Sequence, residues 1–464
     1  MVSYPVNLKT LITPASVLGG EFIKCKLFLL VLSFLLLGAA WAAAPNGEFF
    51  ELQVAQGDSL INICKKYLED PLQWSEVAKV NKLANPNRIY PGQKLIIPVR
   101  LLQGVPLNAE VTFIKGGVLE QPKGSEEWIQ LNLRDRVLQG SRIRTGDEGS
   151  VEITFEDGAT FLLSPRTTLG ITTAQKKGAM RTIQNLFLQT GRAIIKSTPI
   201  ARGEKDLMVR TPNAVAGVRG TDFRLSVDPE ETTRVEVLRG IVGFEASRQN
   251  VEVKEAEGSI ARKGEPPTNP RKLLPAPGPL DLLPLYKMMP LRFKFKEIEG
   301  ASFYRVMLAR DREFKDVVKE MTIRPEETLD IVGVEDGTYF LQSRSIDEIQ
   351  LEGLPLEPVG VQVRVNPLSP SIQSPVDGAH FKGKSVRLAW LRVLDASSYH
   401  IQIAKDKEFS AIVDEKKGLK EVEFIAADLD FKTYYFRVRS IAEDGYEGQW
   451  SDVLSFTMVP PSFC

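Results

Sequence analysis

Apolar and polar positions fall into blocks of different period along the chain. Residues 27–37 are apolar except for Ser33, with Lys24 and Lys26 just before them and the small residues Gly38, Ala39 and Ala40 after. Phe50, Leu52 and Val54 then alternate with polar positions, the rhythm of a half-buried strand. Leu60, Ile63, Cys64 and Tyr67 recur at helical spacing behind a Gly57-Asp58-Ser59 turn, where Asp58 or Ser59 can cap the helix. Asp70-Pro71 starts a second helix, with Trp74, Val77, Ala78 and Asn81 on one face. Lys94 to Pro98 closes the block as a second strand. The predicted unit is βααβ, at the small end of independently stable domains.

From 109 to 262 the period becomes two. Val151, Ile153 and Phe155 alternate ahead of the Glu156-Asp157-Gly158 turn, and Thr160 to Leu163 follows it. Val235 and Val237 lead into Arg239-Gly240, after which Ile241 to Phe244 resumes. Short, evenly spaced strands predict an all-β roll or sandwich. A proline-rich stretch over 263–284 reads as an extended, semi-rigid linker. Beyond it the sequence repeats at an offset of 95: Ala309-Arg310-Asp311-Arg312-Glu313-Phe314 matches Ala404-Lys405-Asp406-Lys407-Glu408-Phe409, and Thr338-Tyr339-Phe340 matches Thr433-Tyr434-Tyr435. Each copy, 285–366 and 370–460, suits a seven-stranded sandwich with Tyr339 and Leu341, or Leu388, Trp390, Tyr434, Phe436 and Val438, facing inward. The expected fold class is multidomain and mainly β: one small βααβ module, one all-β domain and two tandem β-sandwiches.

A basic stretch, an apolar run and the small-x-small sites Ala40-Trp41-Ala42 and Ala42-Ala43-Ala44 form the pattern of a cleaved export signal over residues 1–44. The alternative is an uncleaved anchor, since the run extended to Ala44 approaches the roughly 20 residues that span a bilayer.

Three blocks carry family resemblances. Val54-x-x-Gly57-Asp58-Ser59-Leu60, Ile63, Asn81 and Ile89-Tyr90-Pro91-Gly92-Gln93-x-Leu95-x-Ile97-Pro98 make residues 48–100 resemble the LysM family. That resemblance implies binding of N-acetylglucosamine-containing glycan, in bacteria mostly peptidoglycan. The implied groove lies between two loops holding Gly57, Asp58, Ser59 and Leu60 on one side and Asn85, Pro86, Ile89, Tyr90, Pro91 and Gly92 on the other. Ile143-Arg144-Thr145-Gly146, Thr211-Pro212-Asn213-Ala214-Val215-Ala216-Gly217-Val218-Arg219-Gly220-Thr221-Asp222-Phe223 and Val235-Glu236-Val237-Leu238-Arg239-Gly240 make residues 109–262 look like the FecR domain. Thr211, Pro212, Arg219, Gly220 and Thr221 are the candidate motif residues there, either for a partner contact or for tight turns. Founding members of that family relay a periplasmic signal to a sigma factor and carry a cytoplasmic domain before their membrane segment. Only about two dozen residues precede the apolar run here, too few for such a domain, so the sigma-regulator role is not expected. Gly445-x-x-Gly448-x-Trp450-Ser451 and the strand pattern give both sandwiches a resemblance to fibronectin type III modules, which implies spacers or partner-binding surfaces.

Composition narrows the chemistry. The chain has 464 residues with 59 Lys+Arg against 59 Asp+Glu, a formal net charge of +0 that supplies no global field for nucleic acid. At 43% hydrophobic it is too apolar for disorder. Arg134, Arg136, Arg142 and Arg144 have acids nearby in sequence and lack the interleaved aromatics of a nucleic-acid face. The two histidines, His380 and His400, both fall in the last quarter and read as structural. Of the cysteines, Cys64 sits in a helical apolar pattern, Cys25 lies before the apolar run, and Cys464 is terminal. No zinc-spaced ligand set, Cys–His pair or nucleophile-elbow serine occurs, and Asp157 with Glu156 reads as a turn rather than a glycosidase pair. The expectation is a non-enzymatic, exported cell-envelope protein of the periplasm, without metal or cofactor. It would bind peptidoglycan glycan strands, with its β domains as scaffold or as sites for an envelope protein partner, and no nucleic acid. The alternative is a membrane-anchored periplasmic sensor, should the apolar run stay uncleaved.

Overall fold

The computed structural model describes residues 49–177, 181–197, 204–218 and 220–461. The segment 1–44 that the sequence reads as an export signal, Arg219 and Cys464 lie outside the described residues. Among the described residues no helix is long and apolar enough to cross a membrane. Strands dominate the architecture, with helix confined to the N-terminal module.

In that module, strand Phe49–Gln53 pairs antiparallel with Lys94–Pro98. Helix Leu60–Tyr67 begins at Ser59, whose hydroxyl accepts from Asn62 N at 3.3 Å. Asp70 caps a short 3-10 turn, Pro71–Gln73, that leads into helix Trp74–Val80. Val54, Leu60, Ile63, Cys64, Leu68, Val77, Leu95 and Ile97 form the core, with Trp74 and Tyr67 packed half-buried against it. The core extends past the expected last strand. Val99, Leu101 and Leu102 join it, and Gln103 N donates to Tyr67 O at 2.7 Å.

The large β domain follows directly. Strand Val105–Pro106 pairs with Gln175 and Lys176, and Lys177 Nζ reaches Glu69 of the module at 2.6 Å. The sequence predicts short strands; the structure instead contains Thr168–Lys177 and the 16-residue strand Arg181–Lys196. The longer strand belongs to two sheets. Its first half pairs with Thr168–Lys177 and, in parallel, with Glu204–Arg210. Its second half pairs with Thr160–Leu163 and Asp222–Val227. Gly191, at φ +94°, lies at the changeover, where a Cβ would come within 2.4 Å of Thr167 Oγ1. The two sheets close around one core that includes Phe155, Phe161, Phe223 and Phe244.

The proline-rich segment is extended but docked. Arg271–Lys272 pairs with Glu257 and Gly258, and Leu273 packs with Ile260 and Leu351. Prolines offer no N–H to a ladder. Serine hydroxyls of the first sandwich instead donate to their carbonyls, Ser345 Oγ to Pro275 O at 2.7 Å and Ser343 Oγ to Pro277 O.

The first sandwich sets a two-stranded sheet against four strands ordered Val317–Ile323, Phe303–Ala309, Gly337–Ile346 and Val359–Val363. The second sets three strands against six, so neither has the expected seven. Ala379–Lys382 adds itself in parallel to the last strand, Leu454–Val459, and Glu447–Trp450 pairs off to one side, which enlarges the second copy. The duplication nevertheless survives atom by atom. Tyr304 OH accepts from Ile298 N and Tyr399 OH from Val393 N, both at 2.9 Å. Asp311 and Asp406 each close the turn that follows, with Phe314 and Phe409 at φ near +58°. Tyr339, Leu341, Leu388, Trp390, Tyr434, Phe436 and Val438 are all buried.

An ionic seam joins the large β domain to the first sandwich. Glu352 receives Arg305 Nε at 2.7 Å and Arg344 Nη1 at 3.0 Å from its own domain, and Arg192 Nη1 at 3.4 Å from the β domain. Arg192 also reaches Glu320 at 2.6 Å, and Arg224 donates to Glu352 O and Gly353 O. Lys315–Glu152 and Lys115–Asp316 extend the seam.

Candidate functional site

Two turns of the N-terminal module lie side by side. Gly92 N donates to Val54 O at 2.8 Å and Val54 N to Gln93 O at 2.9 Å, which fastens the 55–58 turn to the 90–93 turn. Gly57 and Gly92 have φ +87° and +84°, and a Cβ at either would meet nothing within 4 Å. Their glycines are thus required by backbone conformation and leave the main chain open to approach. The polar side chains are spent on the turns themselves. Asp58 Oδ2 accepts from Ala55 N at 2.8 Å, Ser59 caps the helix, and Asn85 Oδ1 accepts from Asn87 N at 2.9 Å. Leu60 is buried in the core and offers the surface only its backbone. Pro86 and Ile89 are half-buried, Pro91 is exposed, and Tyr90 projects with 64% exposure. What faces solvent is therefore main-chain edge, a tyrosine ring and a proline, a surface that offers donors and acceptors beside apolar contact.

Asn81, which the helical spacing placed merely on a face, has a larger part. Its side chain donates to Val77 O and Ile96 O and accepts from Ile96 N at 2.6 Å, pinning the second helix to the second strand. Cys64 is a free, buried thiol, and burial pushes its pKa up to about 11.

The second candidate set divides. Thr211 is buried, accepts from Ala214 N at 3.0 Å and bonds Thr233 Oγ1 at 2.8 Å. Asn213 accepts from Thr233 and donates to Ala261 O at 2.8 Å, so a corner of three strands closes on Thr211 and Asn213. Pro212 is exposed beside that corner, at a shallow cleft of about 280 Å³ lined by Phe187, Arg210 and Glu245. Thr221 is fully buried, and Gly220 takes φ +65°. The structure does not bring the Thr211 and Thr221 sets together into one cleft. Asp157, at the Asp-Gly turn, pairs with the buried Lys205 at 2.8 Å and accepts from Ala159 N.

One expectation is corrected. Arg142 and Arg144 have no carboxylate within 4.0 Å among the described residues, and one aromatic ring is shared by both. Their guanidiniums stack on Trp128 at 5.7 and 4.3 Å from the ring centroid. Glu126 and Glu127, in the same loop as Trp128, pair with neither arginine.

Comparison with known proteins follows the same partition. Residues 52–98 match the LysM domain family and residues 141–243 match the FecR protein family. The chain carries a LysM domain and a FecR domain. An uncharacterized protein of Deinococcus radiodurans is 44% identical over 45 residues, which is 10% of this chain and 18% of that one. A proposed anti-sigma factor from Parabacteroides distasonis is similar over 28% of this chain and 59% of its own, at 19% identity and a TM-score of 0.24. Fibronectin(III)-like modules of Clostridium thermocellum CbhA align over 40% of this chain and 95% of theirs, at 11% identity and a TM-score of 0.20. The sandwich architecture of the C-terminal half stands on its own sheet pairings. LysM and FecR domains are typical of extracytoplasmic or envelope proteins, and both are binding or regulatory modules rather than catalytic ones.

Proposed function

We propose that this is a non-enzymatic cell-envelope protein that holds peptidoglycan through its LysM domain, on the exported side of the membrane. The FecR domain and the sandwiches serve as scaffold and as docking surfaces for an envelope partner. The observation that carries the reading is the paired turns at Gly57 and Gly92: fastened at their base, they leave the main chain at both glycines open to approach beside the exposed Tyr90. An N-acetyl group needs that combination, a backbone donor and acceptor plus an apolar contact, and glycine lets it come close. A single LysM domain by itself gives modest affinity, since avidity needs a second copy.

The test is co-sedimentation of the full chain with insoluble peptidoglycan and with chitin. We expect both to pull it down, and Tyr90→Ala to weaken retention several-fold while the far-ultraviolet circular dichroism stays unchanged. An intact chain that stays in the supernatant with both polymers would overturn the glycan-anchor reading.

A further inference from the structure

The outer face of the FecR domain's larger sheet carries a strip that the LysM reading does not use. Across adjacent strands the register aligns Gln121 with Arg142, Arg142 with Gly170, Gly170 with Phe187, and Phe187 with Arg210. The neighbours of these residues along each strand, Ile143, Leu169, Leu186, Leu188 and Val209, are all buried in the core, so the aligned row faces outward. Arg144 stands two residues along from Arg142 on the same face, and Trp128 stacks beneath both. Phe187 is 37% exposed, an unusual placement for a phenylalanine in the middle of a sheet.

Three features of the strip point to a ligand. First, Arg142, Arg144 and Arg210 have no ion pair among the described residues; Arg142 makes one long hydrogen bond, 3.4 Å, to Gln189. Other strand arginines of the domain are paired, as Arg192, Arg234 and Arg239 are, although the exposed Arg136 is not. Second, Gly170 leaves a trough between Arg142 and Phe187, where an added Cβ would meet only Arg142 Cγ at 3.6 Å and Phe187 O at 3.9 Å. Third, the Arg210 end opens into the cleft bordered by Thr211, Pro212 and Asn213. Successive strands lie about 4.8 Å apart, so from Arg142 to Arg210 the strip runs roughly 14 Å across the sheet. It is shallow and elongated, a shape for a polymer lying across strands rather than for an enclosed small molecule.

We propose that this strip binds a carboxylate-bearing glycan. Guanidinium edges pair bidentately with carboxylates, Trp128 fixes two of them in place by stacking, and the free face of Phe187 offers the flat apolar surface on which a sugar ring rests. Glu245 stands two strands beyond Arg210, past Val215, and marks the end of the cationic run. A nucleic acid is the wrong polyanion for this surface, because a chain of net charge +0 lacks the broad basic footprint that phosphate backbones require.

Polygalacturonate is the probe, because it carries a carboxylate on each sugar and no N-acetylglucosamine, so its binding does not depend on the LysM loops. Calorimetry or affinity electrophoresis of the full chain should show binding that weakens about tenfold or more on methyl-esterification of the polymer. The Arg142→Gln/Arg210→Gln double variant should lose about tenfold or more, and Phe187→Ala less. Chitin retention should be unchanged in both, and Arg134→Gln, an exposed arginine off the strip, should bind as the parent does. The proposal is overturned if the parent ignores polygalacturonate or the double variant binds it undiminished. It is equally overturned if Arg134→Gln is as damaging, or if a single-stranded DNA of equal length binds more tightly than the glycan.

Discussion

At the scale of single residues, the structure separates side chains that shape a surface from those that hold it. Asn81 is the clearest case, since its amide closes both backbone groups of Ile96 and the carbonyl of Val77. Asn81→Ala would leave Ile96 N–H and C=O unpaired in a half-buried setting, at about 1–3 kcal/mol for each unmet group. We expect the LysM domain of that variant to lose about 2–4 kcal/mol, read as an earlier loss of amide protection over 49–102 in hydrogen exchange. Protection over the sandwiches should not change. Cys64 gives a second prediction. A thiol whose pKa burial pushes up to about 11 is almost wholly protonated at pH 8, and it is sealed in the core besides. Mass-spectrometric mapping after iodoacetamide treatment of the native protein should find the Cys64 peptide unmodified, and fully modified once the chain is unfolded in guanidinium.

Elements were legible in the sequence where their causes are local. The Ser59 and Asp70 caps, the Gly57 and Gly92 turns, and the tyrosines repeated at an offset of 95 act on residues a few positions away, and the chain announces them. The long strand Arg181–Lys196 was not legible, because its two halves serve different sheets and its partners come from both sides of the sequence. Nor could the sequence show that Trp128 meets Arg142 and Arg144, since the contact forms only when the strands take up register. The Thr211-Pro212-Asn213 motif was visible as a pattern, yet its partners Thr233 and Ala261 lie 20 to 48 residues away. Its reading as a strand corner makes a prediction at this scale. Thr211→Val keeps the shape but removes the acceptor for Ala214 N and the bond to Thr233, so the FecR domain should lose about 1–3 kcal/mol. Chemical denaturation followed at FecR-domain peptides by hydrogen exchange would measure the loss.

For the molecule as a whole, the contacts that join domains span long stretches of sequence, 128 and 160 residues for Arg192 with Glu320 and Glu352 and 202 for Lys115 with Val317. Among the described residues, the duplication shows why the ionic seam forms on the first sandwich. Arg305, Glu320, Arg344 and Glu352 recur 95 residues on as His400, Glu415, Arg439 and Glu447. In the second copy those groups close on one another, His400 Nε2 to Glu415 at 2.6 Å and Arg439 to Glu447, beneath Trp450, which stands where the first copy has Pro355. In the first copy they accept Arg192 from the FecR domain. Burial works to raise the Glu352 carboxyl, but Arg305, Arg344, Arg224 and Arg192 outweigh it and hold the group well below the usual carboxylate range. Burial likewise opposes Glu320, and Arg192 and Arg305 pull it down. Carboxyls depressed in the folded state stabilise it above their unfolded value, near 4.5, and that stabilisation is lost as pH falls through the folded value. Glu236 runs the other way, raised by burial and by Glu352, so its neutral form favours the seam in acid and partly offsets the loss. Asp316, held down by Lys115 and Arg310 against burial, adds a third depressed group, so with three depressed against one raised the seam should weaken in acid rather than strengthen. Glu352→Ala should reproduce that weakening at neutral pH, because it leaves the buried Arg344 without a carboxylate and Arg305 and Arg192 with Glu320 alone, a cost of about 3–5 kcal/mol. Calorimetry should then split the joint unfolding of the FecR domain and first sandwich into two transitions, with new protease cleavage near 263–284. Glu447→Ala, the same change in the copy that closes on itself, should leave that joint transition whole.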